Sequence, residues 1–363
     1  MHIVLSINGE GRGHLSRSIA LAEALERRHR ISFCAPAHLA GELAARFPRS
    51  RIIEIPYLAF EQKGFAIDYP KTIAKNFSLF VDSSAVQNRL ASEFRWIGAE
   101  GILSDFEPFA SRTAKRLGLP VLQLNHPGIV SRVASFSPAA IASRLVARYM
   151  MDCSDQTLLC SFFSGDVGPI IRKALRDKPL SNGGRFVAYV KDRYRGILEP
   201  LFESLGAERF SVFPDPDKDY ESELAACSGL IAPAGHQSIS EALALGKPAF
   251  VIPVKGQFEQ ELNARKLRES GFGDWAYFED VSLRLPAFVS RIESYHAKLD
   301  EARASPGPDA RGFWACSDDT LRAASLAESF FEAAAARSRL ASRRPAGVLA
   351  GSFSFSNFPL IRF

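Results

Sequence analysis

A chain of 363 residues is too long for one compact core and points to two domains. Its 47% hydrophobic and 23% charged residues are the balance of a soluble globular protein, which argues against a disordered or fibrous chain. The net charge of +5 suits an anionic ligand or a membrane surface, but the basic residues are dispersed, which argues against nucleic acid as a partner.

The first half alternates strand and helix. The pattern predicts strands at His2–Ile7, Ile31–Ala35, Ile52–Ile55, Gly101–Ser104, Val121–Leu124 and Gln156–Phe163. Helices are expected over Leu15–Glu26, about Lys71 to Phe94 and Phe109–Leu117, with an aromatic-rich loop from Tyr57 to Tyr69. The apolar stretch Ile129–Met151, with Arg132, Arg144 and Arg148, reads as a core helix with a solvated arginine face; a substrate pocket or a membrane contact is the alternative. This alternation implies right-handed βαβ units and a parallel sheet.

Polar, glycine-rich punctuation at Ser164–Pro169 and Ser181–Gly184 marks a boundary, after which the alternation restarts. Strands are expected at Arg185–Val190, Phe210–Phe213, Gly229–Pro233, Pro248–Val254 and Trp275–Phe278. Helices are expected at Gly196–Leu205, Tyr220–Cys227, Gln237–Leu245, Phe258–Ser270 and Leu285–Leu299. A last helix, Asp318 to Arg337 with Ser317 as its cap, carries Phe330 and Phe331 toward the first domain. The expected units are therefore 1–164, 165–316, the helix 317–337 and a tail 338–363. The tail mixes arginines with phenylalanines and reads as a poorly ordered terminus, or else as a weak membrane or partner anchor. Cys34, Cys153, Cys160, Cys227 and Cys316 form no metal or disulfide pattern. The amino terminus shows no secretory leader, and no apolar run reaches the ~20 residues that span a bilayer. The expectation is a cytoplasmic protein, with peripheral contact at the inner membrane face as the variant.

The segment Ala234–Leu243 follows an apolar strand and a small-residue turn. Strand, glycine turn and helix start form an anion site, because free N–H groups and the positive end of the helix dipole converge there. Gly235 lets a phosphate approach the backbone, His236 adds a donor, and Glu241 can accept from ribose hydroxyls. The reading is a nucleotide diphosphate site spanning Gly235, His236, Gln237 and Ser238. The run Gly9-Glu10-Gly11-Arg12-Gly13-His14 fits the dinucleotide fingerprint in neither register, since the third glycine would fall on His14 or Ser16. Its glycines, Gly11 and Gly13 among them, instead open room at the turn for a bound phosphate or a second substrate. His14 and Asp105 each follow a strand of one sheet and reach its carboxyl edge. His14 suits base catalysis, with a structural or phosphate-contacting role as the alternative. Asp105 could instead cap a helix, Glu107 is the rival base, and His126 is a further candidate in the cleft.

Two blocks carry a family resemblance: Gly9–His14, and Gly235–Ala264 with Gly246-Lys247-Pro248 and Glu259-Gln260-Glu261-Leu262-Asn263-Ala264. On these the chain resembles GT-B glycosyltransferases. That superfamily includes the UDP-glycosyltransferases and the enzyme that adds N-acetylglucosamine to the lipid precursor of peptidoglycan. Ala234 stands where that family commonly has a second glycine. The resemblance implies two Rossmann-like α/β domains facing a cleft. It also implies donor-sugar contacts from Glu259 and Gln260, and a dyad in which Asp105 orients His14. The implied reaction is inverting transfer from a UDP-sugar co-substrate to a hydroxyl acceptor that could be lipid-linked. No cofactor or metal is expected, since the helix end and His236 would take a cation's role. The alternatives are a sugar-nucleotide epimerase of the same fold and a non-catalytic sugar-nucleotide binding protein.

Overall fold

The structure is a computed structural model and describes residues 1–63, 66–190, 192–305 and 307–342. In the first half the elements run β1 (His2–Ile7), α1 (Gly13–Leu25), β2 (Arg30–Ala35), α2 (Ala37–Arg46) and β3 (Ile52–Glu54). A small hairpin β4 (Gln62–Lys63) and β5 (Ala66–Ile67) precedes α3 (Tyr69–Val81) and α4 (Ser84–Ile97). Then come β6 (Gly101–Asp105), α5 (Pro108–Leu117), β7 (Val121–Asn125), α6 (Pro138–Met151) and β8 (Gln156–Leu159). β1, β6 and β7 are buried at every position, as strands covered on both faces must be. The sheet order is β3-β2-β1-β6-β7-β8, all pairs parallel. The winding reverses between β1 and β6, and their carboxyl ends open a crevice there.

The second half runs α7 (Lys173–Arg176), β9 (Phe186–Tyr189), α8 (Asp192–Ser204), β10 (Phe210–Phe213), α9 (Tyr220–Ala226), β11 (Gly229–Pro233) and α10 (His236–Ala244). It continues with β12 (Ala249–Ile252), α11 (Phe258–Ser270), β13 (Gly273–Trp275), α12 (Val281–Ser290) and α13 (Ile292–Arg303). It ends with the pair β14 (Gly307–Pro308) and β15 (Trp314–Ala315), then α14 (Thr320–Ser342). The parallel sheet order is β10-β9-β11-β12-β13, so this domain's reversal lies between β9 and β11.

The chain crosses between the two sheets twice. The outgoing segment bridges the returning one, with Phe163 paired to Phe313 and the Gly168 amide bonded to Asp319. After returning, α14 joins the core of the first sheet. Phe331 is fully buried and its ring covers Gly101, where a Cβ would come within 2.5 Å of the ring. Burying one such side chain contributes about 2–3 kcal/mol.

Several boundaries differ from the sequence reading. The expected helix from Lys71 to Phe94 is two helices, because Asp82 adopts an extended backbone and its carboxylate accepts from the Ser84 amide. The expected helix Leu285–Leu299 is likewise two, parted at Arg291. Strand β8 stops at Leu159, whose amide is taken by Asp166. Ile129–Met151 is a short 3-10 turn followed by α6, which starts on the Ser137 cap and Pro138. Ser317 does not cap the last helix: its hydroxyl has no partner, and the Thr320 amide bonds to Asp318. The tail reading falls largely on 343–363, outside the described residues. No helix among the described residues is long and apolar enough to cross a membrane.

Candidate active site

At the first reversal, β1 and β6 run in register with Ile7 beside Asp105. The chain leaves β1 through Asn8, whose side chain donates to the Phe106 carbonyl, and turns at Gly11, which has φ +72°. It enters α1 at Gly13, so His14 lies in the first turn, directly over the end of β6. His14 Nδ1 is 2.8 Å from Asp105 Oδ1. A carboxylate at this distance favours the tautomer with the proton on Nδ1, in which the lone pair of the neutral ring is on Nε2. The imidazole stacks on Phe106 with ring centroids 6.3 Å apart.

A third residue completes this group. Arg17 lies one turn along α1 from His14, at the spacing that puts both on one face. Its Nε donates to Asp105 Oδ2 at 2.9 Å and its Nη2 to Oδ1 at 2.7 Å. Arg17 and Asp105 are both buried. Burial pushes the Asp105 carboxyl up, but Arg17 and then His14 more than offset this and hold it below the ordinary value. Burial disfavours the Arg17 cation, yet Asp105 more than restores it.

The neighbouring candidates are placed differently. Glu107, not Asp105, caps a helix. Its oxygens accept from the Phe109 and Ala110 amides and from the Ser6 hydroxyl, and burial pushes its carboxyl up. With these bonds made, it is spent on α5 and is not turned toward His14. His126 is buried with both ring nitrogens engaged, Nδ1 at the Cys160 carbonyl and Nε2 2.9 Å from Asn263 Oδ1. Burial pushes its pKa down to about 3.

Across the gap, β11 ends in the turn Pro233-Ala234-Gly235 and α10 begins. Gly235 is the N-cap position, no side chain caps the helix, and the Ile239 amide is the first to meet its intrahelical acceptor. The amides of His236, Gln237 and Ser238 therefore remain for a ligand or solvent. A Cβ on Gly235 would meet nothing within 4 Å, whereas one on Gly13 would lie 3.1 Å from Gln237 Cβ. The starts of α1 and α10 thus face each other, and the space is on the Gly235 side. Ser238 lies inside the first turn and is not the cap.

The side chains of this turn are less available than its backbone. His236 is buried, stacks on His126 with centroids 3.7 Å apart, and takes the Phe162 amide on Nε2. Burial, then His126 and Arg17, push its pKa well down, so it is a neutral imidazole and not a cation. Gln237 donates to the Ile170 carbonyl and to Glu241. Glu241 is buried and lies 3.4 Å from Arg172 Nε. In this structure its carboxylate is held by protein groups.

Helix α11 enters the same gap. Glu259 Oε1 is 3.8 Å from His126 Nε2, and its carboxyl is pushed up by burial against the pull of His14 and Arg17. Gln260 turns back, accepting from the Val254 amide. Asn263 is fully buried and links His126 to the Ala234 carbonyl, tying the first sheet to the turn before α10. At the second reversal an open depression is lined by Tyr189, Tyr194, Pro233, Val254 and Phe278. It adjoins the turn and is apolar with aromatic walls, the surroundings that suit a flat heterocycle. The sequence reading did not name Arg17 or this pocket. The spacing of His14 and Arg17 could have signalled the first; nothing local signals the second.

The family model described as glycosyl transferase family 1 matches residues 1–180 and 210–293. An uncharacterized glycosyltransferase of Methanosarcina acetivorans is 32% identical over 87 residues, 23% of this chain and 23% of that protein. The UDP-N-acetylglucosamine--N-acetylmuramyl-(pentapeptide) pyrophosphoryl-undecaprenol N-acetylglucosamine transferase of Legionella pneumophila (strain Corby) is 31% identical over 100 residues, 27% of each chain. These matches span about a quarter of the curated relatives' length. The crystal structure of LpCGTa in complex with UDP superposes with a TM-score of 0.61 and 18% identity, covering 91% of this chain and 99% of that one. The fold is the GT-B fold, two Rossmann-like domains about a cleft.

Proposed function

This chain belongs to glycosyl transferase family 1, and from that membership we propose that it moves a sugar from a UDP-sugar to a hydroxyl acceptor. The observation that carries the reading is the His14–Asp105 pair set opposite the uncapped start of α10. The diphosphate lies on the free amides of α10, where the helix dipole stabilises the charge that develops on the leaving group. The heterocycle fills the aromatic pocket beside Pro233. Glu259, at the mouth of the gap, meets hydroxyls of the donor sugar. The acceptor oxygen attacks the anomeric carbon from the side opposite the phosphate and gives its proton to His14 Nε2. The glycosidic C–O bond breaks, UDP leaves, and the configuration inverts. The helix terminus takes the role that a cation has elsewhere, so the step is metal-independent.

The relative from Legionella pneumophila acts on an undecaprenol-linked acceptor by its name, which supports a lipid-linked acceptor and work at a membrane face. The epimerase alternative needs a free acidic group as acid/base. Asp105 is held by Arg17 and Glu107 by its cap, so neither carboxyl serves it.

The test is a thermal-shift screen of UDP-, dTDP- and GDP-sugars, followed by nucleotide release with and without lipid extract. Stabilisation by UDP-sugars and acceptor-dependent UDP release are expected. Failure of every nucleotide sugar to stabilise the protein overturns the donor site, and release that ignores the acceptor overturns transfer.

A further inference from the structure

A buried histidine–aspartate pair has an electrostatic problem. An unpaired carboxylate in a poorly solvated site draws a proton onto its imidazole partner, and an imidazolium has no lone pair with which to accept the acceptor's proton. Here the carboxylate is not unpaired. Arg17 grips both oxygens of Asp105 and shares Oδ1 with His14. Its Nη2 also comes within 3.2 Å of His14 Nδ1, so a fixed positive charge adjoins the ring. Resting on the transferase reading above, we propose that Arg17 is a positioning residue that keeps His14 unprotonated and aimed. It does so by neutralising Asp105 and fixing the plane of its carboxylate.

Two effects act together. The fork fixes Oδ1 on Nδ1, which turns Nε2 to the gap. The arginine charge cancels that of Asp105, so the pair presents His14 with a hydrogen-bond acceptor but little net field. Among the described residues, the other groups acting on His14 do not replace this. Glu259 from α11 is acidic, and the imidazoles of His126 and His236 are held uncharged by burial. Arg17 is the permanent cation among them.

The experiment follows His14 in two ways: the acid limb of UDP release against pH, and the imidazole titration by NMR, assigned with H14Q. Loss of the cation in R17Q frees the Asp105 anion, and both changes favour the imidazolium. The midpoint should rise by about one to two pH units, with activity recovering at higher pH. R17K keeps the charge without the fork; it should hold the midpoint near wild type while kcat falls. A merely structural arginine would lower activity alike at every pH.

If R17Q does not fold, D105N and R17Q/D105N carry the same comparison. D105N leaves Arg17 facing His14, and the double variant should titrate at least one unit higher than D105N. An unmoved midpoint, between wild type and R17Q or between D105N and the double variant, overturns the role of Arg17. Absence of UDP release from any donor by the wild type counts against the transferase reading instead. The NMR titration is read without turnover and decides the proposal in either case.

Discussion

The two sheet reversals of this molecule are built from opposite materials. The one between β1 and β6 holds His14, Arg17 and Asp105, charged or titratable groups that saturate one another. The one between β9 and β11 offers backbone amides and aromatic walls, with its polar side chains turned inward. A proton-transfer site needs a group whose protonation the protein controls, which requires charge in a buried setting. A diphosphate site needs fixed dipoles that do not titrate, and a helix terminus supplies them without a buried cation. On the proposed function, the same α/β layout yields a reactive end and a receptive end.

This division of labour can be attacked from either side. His14→Ala removes the proposed base and should lower kcat for UDP release by about 10²- to 10⁴-fold, while UDP-sugars still raise the melting temperature. Equal loss of donor stabilisation would merge the two ends into one.

Gly235→Asp works on the receptive end. The backbone there, at φ −70°, accepts any residue, and the space is open, so an aspartate can cap α10. The fold should gain a few tenths of a kcal/mol. The donor should bind about a thousandfold more weakly, since a charge ~4 Å away at an effective dielectric of ~20 repels by about 4 kcal/mol. A melting scan and UDP titration on one sample read both. Unchanged affinity would place the diphosphate elsewhere.

Tyr189→Ala strips an aromatic wall and should weaken UDP by about tenfold, with little effect on simple pyrophosphate. An equal effect on both ligands would remove the heterocycle from that pocket. Glu107→Ala is the mildest. Loss of the α5 cap should cost about 1–2 kcal/mol of stability by denaturant titration, with kcat near wild type. A collapse of kcat would make Glu107 the base.

Much of this was legible before any coordinates. Strand–helix alternation placed both sheets, and the positions of His14 and Asp105 after their strands put them at one sheet edge. The glycine turn before His236 predicted the start of α10. What escaped the sequence depends on long-range contact. A buried arginine cannot be told from a surface one by pattern, so Arg17 was passed over. The aromatic pocket draws Tyr189, Tyr194 and Phe278 from separate stretches of chain that only folding joins. The breaks at Asp82 and Arg291 fall at the short polar stretches Asp82-Ser83-Ser84 and Ser290-Arg291, which the exposed face of a continuous helix carries equally well. The burial of His236 was not visible in the sequence, nor that its Nε2 takes the Phe162 amide and its Nδ1 is left without a protein partner.

The seating of Phe331 on Gly101 has a bearing on how the protein is made. On the ribosome the amino-terminal lobe emerges first, yet its hydrophobic interior stays open until α14 has been synthesised. The intervening lobe, fed by contiguous chain, can close earlier. Expressing 1–164 alone should therefore give an aggregating fragment, and joining α14 to it by a short linker should restore a soluble one.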